Sequence, residues 1–252
     1  MKIFVTVLLW SFFLPFVFSQ NRDHVGSGRF VKRIEYNLLM RDESYNLDSK
    51  GNIEKLFFGD FNAPVEFSYL PSSEAAFEEP PSGFRIMRSI ASYILEIKHI
   101  SNYKEATKEA GEKYSSIGIP LELMDVKYNN IHKLINEHNR DIHKKYYEEQ
   151  HKLFKIDTHS FPISDQFAEK LYQRIVSVID NFKAKGVPPT IFDGYSVTFR
   201  TVVEDEVWSL WIHMPKGDVL KMADLCRQII TDAHANQLDE SKYITILNTF
   251  EN

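Results

Sequence analysis

Histidine and acid side chains at helical spacing form the first group in the sequence that could do chemistry. The stretch INEHNRDIHKKYYEEQH, residues 135–151, contains His138, Asp141, His143, Glu148 and His151. Imidazole nitrogens bind zinc-like metals and exchange protons near neutral pH, and carboxylates assist in both roles. Residues three apart on a helix are neighbours, so His138 pairs with Asp141 and Glu148 pairs with His151. His138 and Asp141 are therefore candidate catalytic residues, and Glu148 and His151 are a candidate metal pair.

The same stretch has a purely structural interpretation. Helical spacing puts His138 in the apolar stripe of the helix, and His143 lies about 140° further round. A carboxylate-bridged di-metal bundle needs two helical E-x-x-H motifs and two further glutamates, and the other such pair, Glu96 with His99, falls in a predicted strand. The pattern thus favours a His138 that is hydrogen-bonded inside the helix packing, with solvated neighbours. No metal and no cofactor are expected.

Motifs for nucleophilic or phosphate chemistry are missing from the sequence. It contains no G-x-S-x-G, H-E-x-x-H, G-x-x-x-x-G-K-[ST] or G-x-G-x-x-G. The single cysteine, Cys226, falls on the apolar stripe of MADLCRQII, which is typical of a small core residue. One cysteine also excludes a disulfide within the chain.

A polar strip on a predicted C-terminal hairpin is the candidate for binding. A two-residue turn at Glu204 and Asp205 would join strands 195–203 and 206–214 and give the hairpin one apolar face. The opposite face then carries Ser196, Thr198, Arg200, Trp211 and His213. A large aromatic among hydroxyls, a cation and an imidazole suits a sugar ring or a partner's loop. The alternative is that a second layer covers this face and buries Trp211 in the core.

The elements that position these residues follow from apolar periodicity. Strands are predicted at 30–40, 52–58, 64–70, 84–88 and 92–100, before the hairpin. Helices are predicted at 102–114, 121–153, 164–186, 219–235 and 240–250. Ser101, Asp218 and Asp239 are predicted N-caps, and the helix over 164–186 is expected to begin at Ser164.

These elements predict an α+β fold, in which several helices, including one long helix near 121–153, cover an antiparallel sheet with the C-terminal hairpin. Residues 20–252 are expected to form a single domain, and two intimate halves, about 20–118 and 119–252, are the alternative division.

The first residues indicate export. Met-Lys followed by the apolar run 3–18 predicts a signal peptide over residues 1–19, with Val17 and Ser19 before the cleavage point. The run is short for a membrane span and Pro15 interrupts it, so no span is expected after cleavage. The net charge of −5 without a basic stripe disfavours nucleic acid as a partner. A periplasmic or extracellular location is expected.

The sequence therefore favours a non-catalytic binding or interaction protein of the cell envelope or extracellular space, with an unknown protein or carbohydrate partner. The alternative is a hydrolase or metal-dependent enzyme whose site is assembled from residues far apart in the sequence.

Overall fold

The structure is a computed structural model that describes most of the chain after the predicted signal peptide. The described residues are 29–35, 38–40, 50–59, 61, 63–72, 75–90, 92–116, 129–182, 193–204 and 206–250. The predicted signal peptide and the first part of the predicted long helix, residues 121–128, lie outside them.

The fold is α+β, as predicted. The strands are β1 (Arg29–Glu35), β2 (Leu38–Met40), β3 (Val65–Pro71), β4 (Ser82–Arg88), β5 (Tyr93–Ile100), β6 (Ile156–Ile163), β7 (Tyr195–Val203) and β8 (Glu206–His213). The helices are α1 (Asn52–Phe58), α2 (Tyr103–Lys113), α3 (Asn129–Leu153), α4 (Asp165–Asn181), α5 (Gly217–His234) and α6 (Glu240–Thr249), with a 3-10 turn at Ala75–Phe77.

All eight strands join one sheet in the order β2-β1-β8-β7-β3-β4-β5-β6. The six strands from β8 to β6 are antiparallel throughout. At the other end β1 runs parallel to β8, and β2 pairs with β1 in the antiparallel sense. Strands from before and after residue 118 thus lie side by side in the sheet.

One face of the sheet is apolar and is covered by α4, α5 and α6. Alternate residues of β3, β4, β5, β7 and β8 meet the apolar stripes of these helices in the main core. The predicted N-cap of α6 is confirmed, because Asp239 Oδ1 accepts from Ser241 N at 3.0 Å. The helix predicted to begin at Ser164 is α4, and Ser164 Oγ caps it by accepting from Phe167 N at 3.2 Å. Cys226 is fully buried in α5, and burial raises the pKa of its thiol, so it is a core residue.

The other face is covered at its centre by the short helix α1. This helix can lie close to the sheet because β4 has a glycine beneath it. A Cβ at Gly83 would stand 2.6 Å from the carbonyl oxygen of Phe67 and 3.1 Å from Cζ of Phe58. Phe57 and Phe58 are buried there with Ile100, in a second and smaller core.

The predicted elements differ from the structure at four places. Residues 52–58, predicted as a strand, form α1, because Phe57 and Phe58 both turn toward the sheet while the Gly51 amide is capped by Glu54. Residues 156–163, for which no strand was predicted, form β6 at the sheet edge, where most side chains are exposed and periodicity is weak. The helices α2 and α5 begin after Asn102 and Lys216, not after Ser101 and Asp218.

Candidate functional site

The polar strip of the C-terminal hairpin has the predicted register. Ser196 faces His213, Thr198 faces Trp211 and Arg200 faces Ser209. Val203 pairs with Glu206, which leaves two turn residues, and Glu204 adopts a φ of 57°. Two-residue hairpin turns that match the strand twist need such positive φ values. The prediction that these side chains share one face is therefore confirmed.

The hairpin strip continues across the sheet as a row of alternating charges. The strand pairings align Glu96, Arg85, Glu66 and Arg200 on four neighbouring strands, and we call this set the charged row. The uncharged Ser209 on β8 lies next to Arg200. Arg85 Nε lies 2.8 Å from Glu96 Oε1, and Arg200 Nε lies 3.9 Å from Glu66 Oε2. Opposite charges on adjacent strands attract one another, so the row stabilises this pairing of the strands.

The next row is made of hydroxyl groups. Ser68 on β3 faces Thr198 on β7, which faces Trp211 on β8. Ser68 Oγ donates a hydrogen bond of 2.9 Å to Glu54 Oε1 on α1. Thr198 is only 4% exposed, and its Oγ1 has no hydrogen-bond partner. A buried hydroxyl without a partner is uncommon, because its desolvation is then uncompensated.

The α1 helix and the loop that precedes it bring further charges to these rows. Lys50 Nζ lies 2.8 Å from Glu66 Oε1, which also accepts from the Ala63 amide at 2.9 Å. Glu54 Oε2 accepts from the Gly51 amide at 2.8 Å and lies 3.9 Å from Arg200 Nη2. Two carboxylates and two cations thus form one buried network without formal net charge.

Burial perturbs the ionisation of this network. It raises the pKa of the Glu66 carboxyl, and the charges of Lys50 and Arg200 oppose that rise. It lowers the pKa of the Lys50 ammonium, against the attraction of Glu66. Buried ionisable groups with perturbed pKa values concentrate at functional sites, although structural ion pairs also produce them.

A crevice opens between α1 and the sheet at this network. Its walls are formed by Glu54, Phe58, Glu66, Phe67, Ser68, Thr198 and Arg200, and it encloses about 140 Å³ that protein atoms do not fill. Part of that space is open to solvent, and the crevice is too narrow to hold a water molecule unless its walls move. A ligand group could therefore enter only if side chains of the crevice or α1 itself moved.

The outer end of the strip is less buried. Ser196 Oγ and His213 Nδ1 share a hydrogen bond of 3.1 Å, and His213 Nε2 is buried without a partner. Trp211 is half-buried between this pair and Arg200, which is itself only 3% exposed. The structure thus gathers the five predicted binding residues but buries Thr198 and Arg200, and their role in binding stays a prediction.

The candidates on α3 are dispersed. His138, Asp141 and His143 are exposed, so the interpretation of His138 as a packed residue is wrong. Glu148 is exposed and lies 4.0 Å from Lys144. The ring of His151 is half-buried against Phe154, with centroids 5.6 Å apart, and burial lowers its pKa. Within the described residues no hydrogen bond or ion pair joins His138 to Asp141, or Glu148 to His151.

A different group of histidines comes together at the other side of the sheet. His99 on β5, His159 on β6 and His234 at the end of α5 form what we call the histidine cluster. The ring centroid of His234 lies 4.5 Å from that of His99 and 4.9 Å from that of His159. Sequence reasoning missed this cluster because its members come from three distant segments and β6 was not predicted.

Neither the described residues nor the comparisons with known proteins identify an established functional site. Within the described ranges, no set of three or more His, Cys, Asp or Glu side chains is arranged to hold a metal ion as it stands. Among the same residues, no helix has the length and apolar character to cross a membrane. The chain matches no protein-family model, no curated protein and no solved structure.

Proposed function

We propose that this chain is an exported, non-catalytic binding protein that holds a neutral polar group at the crevice between α1 and the sheet. The observation that carries the proposal is the Thr198 hydroxyl, which is 4% exposed, lines the crevice and has no partner. A ligand hydroxyl or amide that reached it would supply the missing hydrogen bond.

The charge balance favours a neutral ligand. Among the described residues Lys50 and Arg200 already face Glu54 and Glu66, so an added charge in the crevice would find no spare counter-ion in this part of the chain. Hydroxyl and amide groups avoid this penalty. They are the groups by which a carbohydrate or the backbone of a protein partner is recognised.

The carboxylates of the network act as structural acceptors in this proposal. Glu66 accepts from Lys50 and Ala63, and Glu54 accepts from Ser68 and Gly51. These bonds hold α1 on the sheet. A binding role, in which α1 shifts and closes again, uses the network without asking either acid to transfer a proton.

The outer strip extends the surface available to such a ligand. Trp211 lies directly across from Thr198, and the buried Nε2 of His213 is a second polar atom without a partner one row away. A ring stacked on Trp211 could place a hydroxyl toward each of them. Sugar rings have this combination of an apolar face and peripheral hydroxyls.

The test compares two threonines on one strand. Neutral sugars, starting with glucose and N-acetylglucosamine, and a neutral peptide mixture are titrated into protein labelled for NMR. The proposal expects shifts at β7 and α1 that Thr198→Val abolishes. Thr201→Val is the matched control, because the Thr201 hydroxyl is already bonded to the carbonyl oxygen of Pro64 at 2.7 Å.

A further variant, Arg88→Ala, tests a surface at the far end of β4. Chemical shifts that persist in Thr198→Val but vanish in Arg88→Ala would show that the ligand binds there and not at the crevice. No saturable shift with any neutral probe would remove the support for a neutral polar ligand.

A further inference from the structure

The histidine cluster lies where the end of α5 meets the edge of the sheet. His99 is on the sheet face that α4, α5 and α6 cover, because the alternate residues before it, Leu95 and Ile97, belong to the main core. The ring of His234 contacts it from the last turn of α5, and the ring of His159 approaches from β6. The cluster thus joins three elements on the face opposite the crevice.

The three rings are close enough for their charges to interact. The centroid of His234 lies 4.5 Å from that of His99 and 4.9 Å from that of His159, and the other two centroids are 6.4 Å apart. Like charges at such distances repel one another where water is partly excluded. His99 Nδ1 and His234 Nε2 are also buried without a hydrogen-bond partner. Both nitrogens of a protonated imidazole are donors, so each of these atoms would then lack an acceptor.

Among the described residues, a single carboxylate acts on the cluster. Asp157 Oδ2 lies 3.7 Å from His99 Nε2. The neighbouring strand β4 places the uncharged Ser82 opposite His99. On α5 itself, the carboxylate of Asp232 is bound to Lys242 of α6. One acid therefore opposes three imidazoles, and the carbonyl end of α5 attracts a cation only in its own last turn.

The pKa values of two of the rings agree with this arrangement. Burial lowers the pKa of His99, Asp157 raises it in part, and His159 lowers it again. Burial also lowers the pKa of His234, and His99 and His159 lower it further against the effect of Asp157. Both rings are therefore neutral near pH 7, whereas a histidine in water takes up its proton at about pH 6.5. Protons thus bind more tightly when the rings are apart, so acid favours their separation.

We propose that the histidine cluster is an acid-sensitive contact, which holds the end of α5 on β5 and β6 while its rings are neutral and releases it when they are charged. The contact is fully stable above about pH 6.5, the value for a free histidine, and weakens as the pH falls below it. The part released is the last turn of α5, with the buried Ala233. Cys226, earlier in the same helix, stays in the main core, so the opening is local.

The experiment follows amide hydrogen exchange and imidazole titration by NMR in the untagged, full-length protein. The range from about pH 7.5 to about pH 5.5 covers histidines and lies above the usual range of carboxylates. After correction for the chemical exchange rate, opening of the last turn of α5 should become at least about tenfold more frequent over this range. The imidazoles of His99 and His234 should titrate below about pH 6.5.

Three glutamine variants assign the effect to the cluster. His234→Gln removes one of the two rings with a lowered pKa and should abolish about half of the increase, on a logarithmic scale. His159→Gln removes a cation, so His99 and His234 should titrate at higher pH. His159 is exposed, so this variant is expected to fold, and circular dichroism checks it.

His151→Gln is the matched control. Burial lowers the pKa of His151 as well, but its ring packs on Phe154, outside the cluster. Exchange at the end of α5 should be the same in this variant and in the parent. A general loss of stability through any buried histidine would instead change exchange there in His151→Gln too, and would contradict the proposal.

Cys226 distinguishes local release from unfolding of the whole protein. It is buried, so its reaction with dithiodipyridine should stay slow at the lowest pH while the last turn of α5 opens. Reaction of Cys226 as frequent as that opening would show global unfolding and overturn the proposal. The same conclusion would follow from an equal increase in opening in the parent and in His234→Gln, or from His99 and His234 titrating at or above about pH 6.5.

Discussion

The guanidinium carbon of Arg227 on α5 lies 4.5 Å from the ring centroid of Tyr69 on β3. The carboxylate of Glu79 binds both partners: it accepts from Arg227 Nη2 at 2.7 Å and from the Tyr69 hydroxyl at 2.9 Å. This contact holds the loop after the 3-10 turn against α5. It joins residues 148 positions apart in the sequence.

Replacement of Arg227 by lysine should destabilise the fold by about 1 kcal/mol. Lysine keeps the charge but cannot stack flat on Tyr69 or bind Glu79 through two nitrogens. The partial exposure of Arg227 keeps the effect small. Urea midpoints measure it, and Lys221→Ala on the same helix is the control, expected to change stability by less than about 0.5 kcal/mol.

Thr198→Val and Thr201→Val should differ in stability as well as in binding. Removal of the unpartnered Thr198 hydroxyl should be neutral or stabilising, because a desolvation penalty is lost with it. Removal of the Thr201 hydroxyl leaves the Pro64 carbonyl unpaired and should cost about 1–2 kcal/mol. Equal losses in the two variants would show that the Thr198 hydroxyl has a partner in solution.

Gly194→Ala should destabilise the protein by about 1–3 kcal/mol. Gly194 has a φ of 103°, and an added Cβ would lie 2.1 Å from Sδ of Met214. Met214 can move, but the backbone strain stays. Gly111→Ala is the opposite control: Gly111 is inside α2, and an added Cβ would meet only Cε2 of Tyr146 at an ordinary contact distance of 4.0 Å, so alanine should stabilise the helix by roughly 0.5–1 kcal/mol.

Asp232 should make stability depend on acid pH. The Tyr243 hydroxyl donates to its carboxylate at 2.6 Å, and this bond, with those from Gln228 and Lys242, lowers the pKa of Asp232. The unfolded chain then binds its proton first, at about pH 3.9, so the stabilisation is complete above that pH and disappears as the pH falls through the lower folded value.

Denaturant midpoints between pH 7 and pH 2 test this dependence. Asp232→Asn should be less stable than the parent at pH 7 and should lose less stability on acidification. Asp224→Asn, on the same helix, should keep the slope of the parent. A parent and an Asp232→Asn protein with the same slope would contradict the assignment.

The proposed export predicts a specific cleavage. Intact-mass measurement of protein recovered from its native source should show the loss of about the first 19 residues, as a signal peptide requires. Recovery of the uncleaved chain from the membrane fraction would indicate a retained anchor instead.

Patterns confined to one segment predicted the structure well. The hairpin register followed from its two faces, the start of α4 at Ser164 followed from its apolar repeat, and Asp239 was identified as a cap. The short helix α1 was missed because its seven residues are too few to show a helical period, and its apolar Ile53, Phe57 and Phe58 fit a strand equally well. Its conformation is set by burial against Ile100 and by the capping of Gly51.

The candidate sites were harder to predict than the helices and strands, because they are formed by tertiary contacts. Arg200 and Thr198 were identified on the correct face, but their burial under α1 depends on the close approach that Gly83 allows. The histidine cluster required the pairing of β5 with β6 and the length of α5. The periodicity of one segment cannot show that side chains from three segments come into contact.

The strand β6 lies at one end of the sheet and contains Pro162. In the part of the chain that the structure describes, no further strand pairs with its outer side. An open strand edge is a template on which copies of a protein can stack into fibres. Proline has no amide hydrogen to offer an incoming strand, and the charged Asp157 at the other end of β6 resists a flat, dry contact. We therefore expect the strand that supplies His159 to be a poor template for the stacking of copies of this chain.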